Sequence, residues 1–227
     1  MKYLFFDTET TGLSKTANIV SIAWLMANEY GVTLHSEYHI IKPEGWIIPE
    51  DSVKIHKITQ ANAERYGANI NEVMDRFLWY VGESDVLVAH NIQFDQKIIN
   101  NTLKFVLGKS LLLEDYKKRM FCTMTNSKEF VSKPSKTGKF KNPTLADMYT
   151  ELFGAAPTGV LHNALTDVQV MVQCFYKLWG TPCELPAIVN MMIDLPALDM
   201  NIIYDAASAP IITTALTSSP TDPSDAV

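Results

Sequence analysis

Cysteine is scarce in this sequence, and the patterns in which it usually acts are missing. The three cysteines, Cys122, Cys174 and Cys183, form no Cys-x-x-Cys pair, and no histidine stands at zinc-ligand spacing from them. A sparse, odd set of thiols is typical of reduced cysteines in an intracellular protein. These absences argue against a disulfide scaffold and against a structural zinc site.

Long apolar runs are also missing. No uninterrupted apolar stretch approaches the roughly 18–20 residues of a membrane span. The apolar start of the chain, residues 1–7, stops too early for a secretory signal and lacks a small-residue cleavage site. An apolar content of 47% and a charged content of 19% are typical of a globular protein. We therefore expect no membrane partner and a cytoplasmic location.

Basic residues are absent after Lys177. Residues 181–227 hold six of the 25 acidic residues, and the remaining 19 balance the 19 Lys and Arg residues. The net charge of -6 therefore does not argue against a nucleic-acid partner. The same segment holds six of the eleven prolines. We predict a folded domain over residues 1–180 and an acidic, Pro-rich, partly disordered extension over 181–227.

Apolar periodicity predicts an α/β fold. Three early strands favour an antiparallel meander, and later helices alternating with short strands favour a mixed sheet flanked by helices. The predicted strands cover Lys2–Asp7, Ile19–Asn28, Val32–Ile41, Asp85–Ala89 and Phe121–Thr123. The predicted helices cover Ile70–Val81, Phe94–Leu107, Thr144–Phe153 and Ala164–Trp179.

Acidic residues occur in three short motifs. Asp7 and Glu9 share one face of a strand, so both can reach the same cations just past its end. Carboxylates with no soft ligand beside them favour hard divalent cations. Taken alone, however, the pair is more simply explained as a solvated acidic turn.

The second and third motifs stand at predicted helix starts. Asp95 falls in a first helical turn, where the helix dipole would stabilise it without any catalytic role. His162 precedes another helix, Asn163 is placed to cap it, and Asp167 lies in its first two turns. Asp167 could thus point at a metal while His162 stays on a loop above it. Each motif alone also has this structural explanation.

The order of the motifs changes the interpretation. Asp-x-Glu, then Phe-Asp, then His-x-Ala-x-x-Asp resembles the DEDDh 3′→5′ exonucleases of the DnaQ-like, RNase H-fold superfamily. The resemblance covers about residues 1–180. It implies an RNase H-like α/β fold, with a mixed five-stranded sheet of antiparallel meander and parallel strands between helices.

The resemblance also implies catalytic roles. Asp7, Glu9, Asp95 and Asp167 would hold two Mg²⁺ or Mn²⁺ ions, with Asp7 between them. Two such ions clamp the attacking and leaving oxygens of an in-line displacement. His162 would accept a proton from the attacking water, a common role for histidine near neutral pH. The product would be a nucleoside 5′-monophosphate.

Residues near the first motif are candidates for holding the strand end. By resemblance, Thr8, Thr10 and Leu13 match positions that bind the terminal nucleotide, with Leu13 a wedge against the last base. His56 is a further candidate at its border. Ordinary core packing would explain Leu13, and a packed loop would explain His56, equally simply.

Two basic runs lie between the second and third motifs. The first is Lys117–Arg119. The second is either a phosphate-tracking arm or a solvated surface loop. It comprises Lys128, Lys133, Lys136, Lys139 and Lys141.

The leading hypothesis is a 3′→5′ exonuclease acting on single-stranded or frayed DNA 3′ ends, in proofreading, repair or degradation. The alternative is an exoribonuclease, because discrimination would depend on a sugar-edge contact that the motifs do not reveal. A non-catalytic nucleic-acid-binding module is less favoured, since all five motif residues are present. Residues 181–227 could tether a polymerase or another protein, or act as a plain spacer.

Overall fold

A computed structural model describes residues 1–14, 16–131, 140–159 and 161–180. Within these ranges no helix combines the length and the apolar character needed to cross a membrane. The predicted extension over 181–227 lies outside the described residues and stays a prediction.

Five strands form one mixed sheet in the order β3-β2-β1-β4-β5. The first three pair antiparallel as a meander, whereas β4 and β5 run parallel to β1. This arrangement confirms the predicted fold class. The strands are β1 (Lys2–Thr10), β2 (Ile19–Asn28), β3 (Thr33–Ile40), β4 (Val86–Ala89) and β5 (Arg119–Cys122).

Helices cover both faces of the sheet. Three of the four predicted helices begin and end close to their predicted limits. Thr144 and Asn163 cap the starts of two of them by accepting backbone N–H bonds. The helices are α1 (Glu50–His56), α2 (Gln60–Tyr66), α3 (Ile70–Glu83), α4 (Ile92–Asn101), α5 (Thr123–Asn126), α6 (Lys128–Val131), α7 (Leu145–Phe153) and α8 (Ala164–Trp179).

Alternation along the strands separates the core into two layers. Phe6 of β1 packs with α3 and α4, while its neighbour Phe5 packs with α8. The same alternation holds in β4, where Leu87 belongs to the first layer and Val88 to the second. A strand buried on both faces thus explains the continuous apolar runs in the sequence.

Three predictions of local structure were wrong. The strand predicted to end at Asp7 continues to Thr10, so Glu9 also lies inside β1. The predicted helix Phe94–Leu107 divides into α4 and a π-helical turn, Thr102–Val106. The second basic run, predicted as an arm or a surface loop, begins instead with the short helix Lys128–Val131. Pairing with β2 explains the first difference, because nine residues of β1 find partners there.

An ionic cluster around the buried Glu37 side chain joins β3 to α3, and no sequence pattern pointed to it. The Glu37 side chain is only 9% exposed and accepts hydrogen bonds from His35 at 2.6 Å and His39 at 2.8 Å. Arg76 donates two more, at 2.9 and 2.8 Å. Burial would raise the pKa of Glu37, but the bonds from His39, Arg76 and His35 outweigh it and hold the pKa at about 2.

Glu37→Gln is expected to destabilise the fold by about 2–3 kcal/mol, because charged hydrogen bonds are lost from a buried group. Chemical denaturation at pH 7 would measure the loss. Because the folded pKa lies below the ordinary value, Glu37 stabilises the fold above that value, and the contribution disappears as the pH falls towards 2. Equal unfolding free energies at pH 7 would contradict the assigned role.

Candidate active site

Asp7 and Glu9 stand on the face of β1 that looks towards α8. They are two residues apart in a strand, so their side chains project from the same face. Asp167, in the first turn of α8, completes the group. One oxygen from each of the three carboxylates lies within 4.8 Å of the others.

Asp95 approaches β1 from the opposite layer. It lies in the first turn of α4 and is 2% exposed. Its Oδ1 accepts two hydrogen bonds from Thr8, from the backbone N–H at 3.0 Å and from Oγ1 at 2.7 Å. Thr8 projects from β1 on the side opposite to its neighbours Asp7 and Glu9. Thr8, which lies between Asp7 and Glu9, therefore holds the Asp95 carboxylate against the same strand by hydrogen bonds.

His162 lies on the loop before α8 and is exposed. Its backbone is left-handed, with φ of 65°, and its N–H donates to both oxygens of Asp167, at 3.3 and 3.2 Å. Asn163 caps the helix by accepting from the backbone N–H groups of Leu165 and Thr166. The turn thus orients Asp167 through the His162 backbone and leaves the imidazole open to solvent.

Burial and mutual repulsion make ionisation of the cluster costly. Burial raises the pKa of Asp7 well above its ordinary value, and the charges of Asp95, Asp167 and Glu9 raise it further. Burial, then Asp167 and Asp95, raise the pKa of Glu9 to about 8. The pKa of Asp95 and that of Asp167 are each about 7, because burial outweighs the hydrogen bonds they accept.

This donor set fits divalent cations. Its ligand atoms are all carboxylate oxygens, which Mg²⁺ and related hard ions prefer. Bound cations would also offset the repulsion that contributes to the raised pKa values of Asp7 and Glu9. Three of the carboxylates are close enough to share one ion. The fourth, Asp95, accepts hydrogen bonds from Thr8, which lies between Asp7 and Glu9 in β1.

Comparison with known families agrees with this geometry. Residues 4–175 match the family model RNase_T, described as "Exonuclease". The chain belongs to the RNase_T exonuclease family. All five motif residues of this exonuclease domain lie within the matched range.

Curated relatives of the exonuclease domain include much longer polymerases. It is 30% identical over 177 residues to a DNA polymerase III PolC-type protein of Thermotoga maritima, covering 77% of this chain and 12% of that one. It is 36% identical over 115 residues to a DNA polymerase III subunit epsilon-like protein of Rhodobacter capsulatus, covering 50% and 15%. The chain thus spans about an eighth of the length of the PolC-type relative.

Solved structures share the fold at low identity. Escherichia coli exonuclease I in complex with a dT13 oligonucleotide aligns with a TM-score of 0.66 at 16% identity, over 84% of this chain and 43% of that one. Exonuclease I from Methylocaldum szegediense aligns with a TM-score of 0.61 at 15% identity, over 84% and 42%. At these identities the likeness concerns the fold.

The predicted strand-end residues of the exonuclease domain fall into different environments. Thr8 and Thr10 are buried, and the Thr10 hydroxyl donates to the Gly12 carbonyl at 2.7 Å, closing the turn after β1. Leu13, in that turn, is 86% exposed, so core packing does not explain it. Its role as a wedge stays a prediction.

His56 lies at the end of α1 and is 2% exposed. Burial lowers its pKa to about 4, so the ring is neutral at pH 7. Its Nδ1 accepts from the backbone N–H of Ile58 at 3.1 Å, while its Nε2 finds no hydrogen-bond partner among the described residues. The burial matches the packed alternative, and a border with the nucleotide stays a prediction.

Of the two basic runs, only the first lies entirely within the described residues. Lys117–Arg119 leads into the N-terminal end of β5, whereas the carboxylates lie near the C-terminal end of the parallel strand β1. The Lys118 ammonium donates to the Gly82 carbonyl at 2.7 Å. In the second run, residues 133, 136 and 139 lie outside the described residues, so the arm stays a prediction.

A role for His90 was missed by sequence reasoning. Its ring accepts from the Thr123 hydroxyl at 3.0 Å and donates through Nε2 to the Pro143 carbonyl at 3.1 Å. Burial lowers its pKa, which favours this neutral form. His90 thus connects the turn between β4 and α4 to Pro143, just before α7. Because the two partners are 53 positions apart, the local sequence contains no pattern that predicts this contact.

Thr8→Val is expected to lower kcat/KM and the affinity for Mg²⁺ by about 10–100-fold, because Asp95 loses a hydroxyl partner that orients it. Steady-state kinetics over a Mg²⁺ titration would measure both effects. Thr8→Ser retains the hydroxyl and is the matched control. Equal kinetics for the valine and serine variants would contradict a positioning role for this bond.

Proposed function

We propose that this exonuclease domain is a metal-dependent 3′→5′ exonuclease that releases nucleoside 5′-monophosphates from single-stranded or frayed DNA 3′ ends. The observation that carries the proposal is the cluster of Asp7, Glu9 and Asp167 within 4.8 Å, with Asp95 fastened to the same strand by Thr8. An exposed histidine, His162, stands beside it.

The four carboxylates would hold two ions, Mg²⁺ or Mn²⁺. When bound, these ions would supply Lewis-acid activation of water and charge stabilisation at the phosphate. An imidazole nitrogen of His162 would accept the proton of the attacking water as its oxygen bonds to phosphorus and the P–O3′ bond breaks. The backbone N–H of His162 also donates hydrogen bonds to Asp167. His162 would therefore accept the proton through its side chain and orient a metal-binding carboxylate through its backbone.

DNA is proposed as the substrate because the similar proteins point to it. The two curated relatives bear DNA polymerase III names, and one similar structure holds a dT13 oligonucleotide. A polymerase partner is a related proposal, since those relatives are polymerase proteins. The carboxylates and His162 act on the phosphate and do not distinguish the two sugars.

Matched DNA and RNA 20-mers would test the substrate class. Each strand carries a 5′ label and is presented single-stranded, fully paired, or with a mispaired 3′ end. We expect the fastest Mg²⁺-dependent shortening with single-stranded and mispaired DNA. Faster shortening of RNA would replace the DNA assignment with the exoribonuclease one, and equal rates on paired and frayed ends would contradict the end preference.

A further inference from the structure

Phe105 is unusually exposed for a large aromatic side chain. It is 72% exposed and lies in the π-helical turn Thr102–Val106 that follows α4. π-helical turns inside helical segments are rare and often mark functional sites. Phe105 lines both of two surface cavities, of about 390 and 300 Å³. We name these two cavities together the Phe105 groove.

The larger cavity follows the outer side of α4. It is lined by polar and basic side chains that include Gln93, Lys97, Asn100 and Lys104. The same helix carries Asp95 on its buried side, two residues from both Gln93 and Lys97. The cavity therefore lies on the opposite side of the helical turn that supplies Asp95.

The smaller cavity begins beside the turn after β1. Asn18 lines it, and the Asn18 backbone exchanges two hydrogen bonds with Thr11, at 3.0 and 2.9 Å. Thr11 is two residues beyond Glu9 and belongs to the turn that bears Leu13. One cavity thus borders the helix that carries Asp95, and the other borders Asn18, which pairs with the turn after β1.

The two cavities carry a small excess of positive charge. Lys42, Lys97 and Lys104 line it against Glu44 and Glu114. The Glu114 carboxylate already accepts hydrogen bonds from the side-chain amides of Gln96 and Asn100, at 3.3 and 2.6 Å.

An aromatic face stands among these cations. The Lys104 ammonium lies 5.4 Å from the centre of the Phe105 ring. Proteins that bind single-stranded nucleic acids combine an exposed aromatic ring, on which a base stacks, with nearby ammonium groups that contact the phosphates.

We propose that the Phe105 groove binds the single strand upstream of its 3′-terminal nucleotide, with one base stacked on Phe105 and phosphates beside Lys97 and Lys104. This inference rests on the proposed exonuclease function and adds a binding surface to it. Substrate length then matters, because only a strand longer than the terminal nucleotides reaches Phe105.

Phe105→Ala tests the proposal in the full chain. Binding of a 5′-fluorescein DNA 12-mer is measured by anisotropy in EDTA, and hydrolysis of the 12-mer and of a dinucleotide is measured in Mg²⁺. We expect the Kd and KM for the 12-mer to rise about 10–100-fold, since one stacked base is lost. Dinucleotide hydrolysis is expected to stay unchanged. Phe105→Tyr should restore 12-mer binding.

Trp79→Ala is the aromatic control, because Trp79 is 60% exposed on α3 and lines neither cavity. For the cations, Lys97→Ala/Lys104→Ala should reduce the slope of log affinity against log salt by roughly 0.7 per lost phosphate contact. Lys2→Ala/Lys118→Ala, at the N-terminal ends of β1 and β5, should leave that slope unchanged.

Three outcomes distinguish the two proposals. Unchanged 12-mer affinity in Phe105→Ala, with normal wild-type hydrolysis, would overturn the groove and leave the nuclease. Weakened binding in Phe105→Ala, with no hydrolysis by the wild type, would support the groove and overturn the nuclease. Unchanged affinity with a shift from dimer to monomer in sedimentation would overturn the groove as a strand site and assign Phe105 to self-association.

Discussion

Asp7→Asn is expected to reduce hydrolysis by about a thousandfold or more while it stabilises the metal-free protein. The loss follows because Asp7 belongs to the cluster proposed to hold both ions, and metal-ion stabilisation of the transition state is worth several kcal/mol. The gain follows because the half-buried Asp7 carboxylate is repelled by three other carboxylates. Asparagine removes that charge and nearly keeps the volume.

The pH dependence of unfolding tests the expected gain in stability, separately from the loss of hydrolysis. The folded-state pKa values of Glu9, Asp95 and Asp167 are about 8, 7 and 7, above their ordinary values. Between the ordinary values and pH 8 the folded protein therefore binds more protons than the unfolded one, so its stability falls as the pH rises.

Thermal unfolding in EDTA from pH 5 to pH 8.5 would measure this fall. We expect a smaller fall for Asp7→Asn than for the wild type, and a difference at high pH of roughly 2 kcal/mol, or about 4–8 °C in Tm. Added Mg²⁺ should raise the Tm of the wild type more than that of the variant. A variant that is less stable than the wild type in EDTA at pH 8.5 would contradict the repulsion.

His162→Asn is expected to lower kcat by about 10²–10⁴-fold, the usual contribution of a positioned general base. Asparagine is chosen because it tolerates the left-handed backbone of residue 162, so the N–H bonds to Asp167 can persist. The exposed imidazole contributes little packing, so we expect the Tm to change little.

His162→Ala is the informative partner variant. It removes the same imidazole but strains the backbone at φ of 65°, which disturbs the support of Asp167. We expect a further loss of Mg²⁺ affinity in the alanine variant and none in the asparagine variant. Wild-type kcat for His162→Asn would contradict the role of the imidazole as base.

The strands and long helices of this fold were readable because their signals are local. β2 and α8 occur at their predicted limits, since continuous or periodic apolar residues and a capping Asn163 specify them nearby in the chain. The short helices α1 and α2 were missed. Each is seven residues long, and together they bury only three side chains, so their apolar periodicity is weak.

The site was predictable to a similar degree. The order of the motifs predicted five site residues, and the structure brings three of them, Asp7, Glu9 and Asp167, together. The fastening of Asp95 by Thr8 joins residues 87 positions apart, and nothing in the local sequence encodes it. The exposed Phe105 was predicted to lie within a continuous α-helix, where its place in a π-helical turn between two cavities could not be read.

The most direct test of the central claim is hydrolysis of a 5′-labelled single-stranded DNA by the purified protein, with wild type and Asp7→Asn compared in Mg²⁺ and in EDTA. The carboxylate cluster predicts a ladder that shortens from the 3′ end and releases nucleoside 5′-monophosphates, for the wild type in Mg²⁺ alone. Loss of the 5′ label as a mononucleotide, equal activity in EDTA, or equal activity of Asp7→Asn would contradict it.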